Sequence, residues 1–236
     1  SELVPQTLPA IPGFELGAFN RVANTVGGDL YEFQPLENGG LAILFGDASG
    51  HGMAAGLVMA VAHTAWRLQL ERDPSPGAVL ETLNRVLCRL GSCRTSGPRQ
   101  FFAGVALLLQ PDGSFVAAVA GHPPVLRVGT TGSVLERFGR GAYPLGVKQA
   151  QSYDVETGTL GPGELLLLHS DGLPEARDAQ GREFGDGRTL AILLRMAGRS
   201  AADVAAALSG EVLAFLDRRP VGDDVSIAVL RRLPVG

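Results

Sequence analysis

Asp29-Leu-Tyr-Glu-Phe-Gln-Pro-Leu36 and Leu41-Ala-Ile-Leu-Phe45 flank the four residues Glu37-Asn38-Gly39-Gly40. Both runs carry aromatic and aliphatic side chains suited to a pleated, half-buried surface. Asn-Gly and Gly-Gly between them supply the backbone freedom of a tight turn, so the stretch reads as a β-hairpin. If the loop is Glu37, Asn38 and Gly39, the pairing of residue 36 with residue 40 carries down the ladder to 29 with 47. A two-residue loop shifts that by one. In either register Asp29 and Asp47 lie at the same end of the hairpin. Direct partners there stand about 5 Å apart between Cβ atoms, and two carboxylates that close repel unless a cation lies between them.

Outward from the hairpin, Phe14 to Asn20 reads as a first strand. Met53 to about Glu71 is rich in alanine, leucine and valine at helical spacing, and its first half is apolar on nearly every face. That half is therefore expected to be buried on more than one side. Asp73-Pro74-Ser75-Pro76 stops the helix, and Ser75 with Pro76 opens a second one. Ser92 to Arg99 reads as a polar loop. Strands follow at Phe101 to Leu109, Ser114 to Ala120, Val125 to Val128, Val134 to Arg137, Gln151 to Val155 and Glu164 to Ser170. Thr189 to Ala197 and Ala201 to Leu216 read as helices, and Val225 to Leu230 as the last strand. Strands, two helices, many strands, helices and a strand make an α+β layered sandwich of largely antiparallel sheets. No linker or repeat divides residues 1–236, which read as one domain.

The 45% apolar content describes a globular chain, and the 32 glycines suit numerous short strands joined by turns. The net charge is -4 and no lysine or arginine cluster tracks a phosphate backbone, which argues against nucleic acid. The longest apolar stretch, Gly56 to Trp66, is too short for a membrane span. The amino terminus has neither a basic start nor an apolar core, so no signal peptide is read and the expected location is the cytoplasm. Cys88 and Cys93 have no companion cysteine or histidine pair. They are read as reduced, structural thiols and not as zinc ligands.

Chemistry concentrates where aspartate stands beside glycine at strand edges: Gly27-Gly28-Asp29, Gly46-Asp47-Ala48-Ser49-Gly50-His51-Gly52, Ser170-Asp171-Gly172 and Gly222-Asp223-Asp224. Aspartate and glycine are poor strand and helix formers, and a lone Asp-Gly is ordinarily a turn. Repeated, the pairing suits a hard-metal site, where oxygen ligands hold magnesium or manganese and glycine lets the backbone approach. The backbone carbonyl of Ala48 is a further candidate ligand. Adjacent acids point to different sides, so at most one of Asp223 and Asp224 is expected to reach the cluster directly. Two divalent ions, roughly 3.5 to 4 Å apart, would nearly cancel the charge, acidify a bridging water and orient a phosphoryl group. No Gly-x-Ser-x-Gly elbow accompanies the acids. His51, His63, His122 and His169 read as structural, and Asp154, Asp178, Asp186, Asp203 and Asp217 as solvated.

Six motifs in order, Val26-Gly-Gly-Asp-Leu-Tyr-Glu-Phe33, Gly46-Asp-Ala-Ser-Gly-His-Gly52, Ala120-Gly-His-Pro123, Tyr143-Pro-Leu-Gly146, His169-Ser-Asp-Gly-Leu-Pro-Glu-Ala176 and Asp223-Asp-Val-Ser226, resemble the bacterial PPM-type serine/threonine phosphatases. Within them the similarity is to the SpoIIE-type branch and the stress-response sigma-factor phosphatases, over residues 8–233. The resemblance implies a protein phosphatase 2C-like four-layer α-β-β-α sandwich with two Mn2+ or Mg2+ ions at one edge. It aligns Asp47 with the bridging ligand, Ala48 with the carbonyl ligand, Asp171 and Asp223 with the other carboxylates of one ion, and Asp29 with the acid holding water. Asp224 stands where the wider family often has asparagine. Ser170 and Ser226 replace threonines, and the phosphate-binding arginine of the eukaryotic relatives has no counterpart; Arg21 is near but not aligned. The implied substrate is a phosphorylated protein, an anti-sigma-factor antagonist carrying phosphoserine. Helices 53–91 resemble switch elements that answer to a regulatory partner or sensor domain, with room for a homodimer. The competing reading is a non-catalytic or weakly catalytic binding module of the same fold.

Overall fold

A computed structural model describes residues 5, 7–23, 27–50, 52–90, 100–139, 141–217 and 219–234. Val26, His51, Cys93, the loop 92–99 and most of residues 1–5, all interpreted above, lie outside the described residues. The strands are β1 (Phe14–Arg21), β2 (Asp29–Pro35), β3 (Leu41–Ala48), β4 (Phe102–Leu109), β5 (Ser114–Ala120), β6 (Val125–Val128), β7 (Val134–Phe138), β8 (Val155–Thr159), β9 (Leu165–His169) and β10 (Val225–Arg232). The helices are α1 (Met53–Leu70), α2 (Pro76–Arg89), α3 (Gly172–Glu175), α4 (Gly185–Arg195) and α5 (Ala201–Phe215). One sheet runs β1-β10-β9-β6-β7 and the other β2-β3-β4-β5-β8, with every pairing antiparallel.

Period-two alternation sorts each strand between two environments. In β3, Leu41, Ile43 and Phe45 enter the core between the sheets, whereas Ala42, Leu44 and Ala48 pack under α1 and α2. In β10, Ala228 and Leu230 face inward while Ile227 and Val229 join the cluster under α5. Three apolar layers thus separate four layers of structure, the α-β-β-α arrangement expected. The hairpin register is 35 with 41 and 29 with 47, that of the three-residue loop, closed by hydrogen bonds from Leu36 N–H to the Gly40 carbonyl and from Gly39 N–H to the Leu36 carbonyl.

Several expectations are corrected. The strand assigned to Gln151 to Val155 starts where that run ends, at Val155, and continues through Gly158. Glycine is unfavourable in a strand, but here its missing side chain admits the Phe115 ring, on which Phe138 packs edge-on. The helix at Thr189 begins at Gly185 instead, and the short α3 was not anticipated. α1 is not buried on more than one side. Ala55, Val58, Met59, Ala62 and Trp66 are covered, yet Met53 is 90% exposed, Leu57 62% and Leu68 58%. The sheet and α2 cover only part of its circumference, which local composition cannot reveal. Cys88, in the last turn of α2, is disulfide-bonded, not a reduced thiol. Asp178 is buried, not solvated. It accepts hydrogen bonds from the Gln180 and Arg182 N–H groups and from Arg182 Nε at 2.7 Å.

Phe45 is fully buried between the sheets, stacked on Tyr31 and edge-on to His122. Phe45→Ala should lower unfolding stability by about 3–5 kcal/mol, read as a lower denaturant midpoint with an unchanged slope.

Candidate metal centre

The same alternation that fills the core aims the acids. Residues 29, 31 and 33 of β2 and 41, 43, 45 and 47 of β3 share the inter-sheet face. Asp29 and Asp47 are therefore the last members of two apolar series, placed opposite each other where the sheets part. In the other sheet β9 ends and β10 begins at the same edge, with Ile227 opposite His169 and Ser170 N–H bonded to the Ser226 carbonyl. Asp171 follows β9, and Asp223 and Asp224 precede β10.

Asp29, Asp47, Ala48, Asp171 and Asp223 line one cleft of about 270 Å³, walled by Phe101, Ala103 and Pro123. Asp224 sits behind it. Its Oδ1 accepts the Ala23 N–H at 2.6 Å, and its Oδ2 accepts Gly28 N–H at 2.5 Å and Asp29 N–H at 3.3 Å. One carboxylate thus holds Ala23, beyond the end of β1, together with the Gly28 and Asp29 backbone. Asp223 Oδ1 accepts the Asp224 N–H at 2.8 Å. Gly172 allows this closeness: a Cβ there would lie 2.0 Å from the Asp224 carbonyl oxygen, so only glycine seats the Asp171 turn against β10. On the hairpin side, Ala48 N–H bonds to the Gly28 carbonyl, and Ser49 pairs with Phe101 through both its N–H and its Oγ. Gly50 and Gly52, with φ of 85° and 74°, turn the chain into α1.

The electrostatics follow from this crowding. Burial pushes the Asp29 carboxyl up to about 7, reinforced by repulsion from Asp224 and Asp223 and opposed by the hydroxyls of Ser226 and Ser170. Burial likewise pushes Asp47 up to about 8, with repulsion from Asp171, Asp29, Asp223 and Asp224 adding to it. Asp171 is raised by burial and by Asp223. Asp29 Oδ2 is buried without a hydrogen-bond partner. An oxygen-only donor set, mutual repulsion and an orphaned carboxylate oxygen fit a hard divalent cation. Among the described residues, no three acids, histidines or cysteines are already gathered around a single ion position.

None of the described histidines lines the cleft. His122 is buried, pushed down to about 4 by desolvation, and hydrogen-bonded through Nδ1 to the Pro123 carbonyl. His169 bonds through Nδ1 to the Ser170 carbonyl, and His63 pairs with Glu32 at 2.9 Å. The sequence singles out Ser170, Ser226 and Asp224 but not the hydrogen bonds by which they support the site, nor Asn20. Ser170 Oγ accepts Ser226 N–H at 2.9 Å and donates to the Asp224 carbonyl, while Asn20 Nδ2 donates to Ser226 Oγ at 2.7 Å. The inward phase of Ser226 and Asp224, continuing 228 and 230, was the available signal.

The family described as stage II sporulation protein E matches residues 37–233. The phosphoserine phosphatase RsbU of Bacillus subtilis is 26% identical over 179 residues, covering 76% of this chain and 52% of its own. Among solved structures, the SiaA-PP2C domain of Pseudomonas aeruginosa superposes with a TM-score of 0.78 at 21% identity, covering 92% of this chain and 85% of its own. The RsbU and RsbW domains of Rv1364c from Mycobacterium tuberculosis give 0.79 at 26% identity, with 97% and 64% covered. The chain spans about half, or less, of the length of the curated relatives it matches.

Two outcomes are expected. Carboxyls raised from 3.8 to about 7 and 8 favour the folded state fully below pH 4, and that contribution is lost as pH rises through their folded values. The metal-free protein should therefore melt lower at pH 9 than at pH 6, by roughly 4–8 °C for a loss near 2 kcal/mol. Asp47→Asn should flatten this slope, and an equal slope in variant and parent would contradict it. Asp224→Ala strands the Ala23 and Gly28 N–H groups and should weaken Mn2+ affinity about 10- to 100-fold by calorimetry, with an unaltered circular dichroism spectrum.

Proposed function

Because the chain belongs to the stage II sporulation protein E family, whose pattern spans residues 37–233, we propose that it is a metal-dependent serine/threonine protein phosphatase. Its proposed substrate is phosphoserine on a small regulatory protein of the anti-sigma-factor antagonist type, in bacterial signalling. The observation that carries this reading is the meeting of four carboxylates and one carbonyl, from separate segments, at a single cleft with an unpartnered buried oxygen. Asp29, Asp47, the Ala48 carbonyl, Asp171 and Asp223 would hold two Mn2+ or Mg2+ ions. When bound, such ions neutralise phosphate charge and make water nucleophilic near neutral pH.

The chain's own residues do the rest. Asp29 Oδ2, buried and without a donor, is available to accept a proton-bearing group in the cleft. Phe101 and Ala103, beside Ser49 and Asp47, and Pro123 add apolar surface to the cleft wall. Ser49, the hydroxyl on the cleft wall, accepts a hydrogen bond from the Phe101 N–H. We assign Asp224 to bracing Asp29, since both of its oxygens already accept backbone N–H groups.

A second reading has its own observation: the acids line the cleft without being drawn around one point. The domain would then be weakly active until a regulatory partner, a sensor domain or a second copy engages helices 53–91. The exposed Met53, Leu57 and Leu68 of α1 offer such a contact.

With Mn2+ the protein should hydrolyse an aryl phosphate, lose this with a chelator and regain it with added metal. Asp47→Asn should reduce the rate by more than about 100-fold, the upper range for losing a group that only orients a ligand. A variant at full rate would contradict the assignment.

A further inference from the structure

Beside the acid cleft lies a second, larger pocket of about 540 Å³, between α3 and the turn from α5 to β10. The two share Asp223, and Gly172, next to Asp171, lines the larger one. The two pockets therefore adjoin at Asp223. Its floor is apolar, formed by Ala176, Leu216 and Val221, all buried residues.

The charges on its rim are mostly spoken for. Arg177 pairs with Glu183 and donates to the Gly181 carbonyl. Asp178 is held by Arg182. Asp223 belongs to the acid set. Glu175 and Arg219 remain, and Arg219 has no carboxylate partner among the described residues. The backbone N–H of Arg219 is held by its neighbours. Asp217 takes a left-handed backbone with φ of 47°, Arg219 N–H bonds to the Leu216 carbonyl, and Pro220 fixes the following residue. An arginine without a carboxylate partner among the described residues, lining an apolar-floored pocket that adjoins the acid cleft, fits an extended peptide carrying an apolar side chain and an acidic one.

We propose that this pocket receives the segment of the phosphoprotein substrate flanking its phosphorylated serine, with Arg219 selecting an acidic residue there. The proposal rests on the phosphatase reading above and deepens it by naming a substrate class. Arg219 is exposed and distant from the core, so its replacement leaves folding intact.

The test compares kcat/KM in Mn2+ for an aryl phosphate and for phosphoserine peptides. The peptides carry an acidic residue on the amino side, on the carboxyl side, or on neither. The parent should favour one acidic series over the neutral peptide by about 10-fold, the effect of one charge-assisted contact. Arg219→Ala should erase that preference and Arg219→Glu should invert it, both keeping the aryl phosphate rate within about 2-fold. Equal rates on all peptides by the parent, or proportional losses on every substrate in the variants, would overturn the proposal while leaving the phosphatase reading in place. Absence of hydrolysis of every substrate, aryl phosphate included, would overturn both.

Discussion

Like charges held at the dry end of an inter-sheet core are the constraint around which this molecule is arranged. Asp29 and Asp47 terminate two alternating apolar series, so the pleat that buries Phe45 and Tyr31 also carries the carboxylates inward. Desolvation and repulsion then raise their proton affinity to the neutral range. An isolated protein meets that situation by protonation, and a metalloprotein by binding a cation. The surrounding polar residues make sense only in this light. Asp224 occupies its oxygens with backbone donors, and Ser170 and Ser226 exchange hydrogen bonds, so the supporting groups are satisfied while Asp29 Oδ2 is left open.

The two sheets contribute unequally. The hairpin supplies Asp29, Asp47 and the Ala48 carbonyl from adjacent strands, a rigid local unit. Asp171 and Asp223 come from the ends of β9 and β10 and depend on Gly172 lying against the Asp224 carbonyl. The centre is therefore assembled only when the sheets are packed, which couples function to the integrity of the apolar layer between them. It also places the acids beside the α5–β10 turn, so the acid cleft and the larger pocket meet at one residue, Asp223.

Much of this was legible in the sequence because it is local. Glu37-Asn38-Gly39 set the hairpin loop, and with it the opposition of residues 29 and 47. Pro76 after Ser75 opened α2 where expected, and apolar runs rich in aliphatic and aromatic residues located β3, β5 and β10. What escaped depends on contacts distant along the chain. The bracing role of Asp224 needs the residues near Ala23 and Gly28 to return from the far end of the sequence. The edge strand β8 lies at Val155–Thr159 because Phe115, distant along the chain, packs over Gly158. The open face of α1 could not be inferred from composition, since burial is set by what lies opposite and not by the helix itself. Asp178 looked solvated because its partner, Arg182, binds it through a tight turn.

The most direct measurement of the central claim is anomalous diffraction from a crystal soaked in Mn2+. The account predicts two strong peaks within the cleft, bounded by Asp29, Asp47, the Ala48 carbonyl, Asp171 and Asp223. Peaks confined to other parts of the surface, or a cleft whose carboxylates turn away from one another with no ion among them, would contradict it.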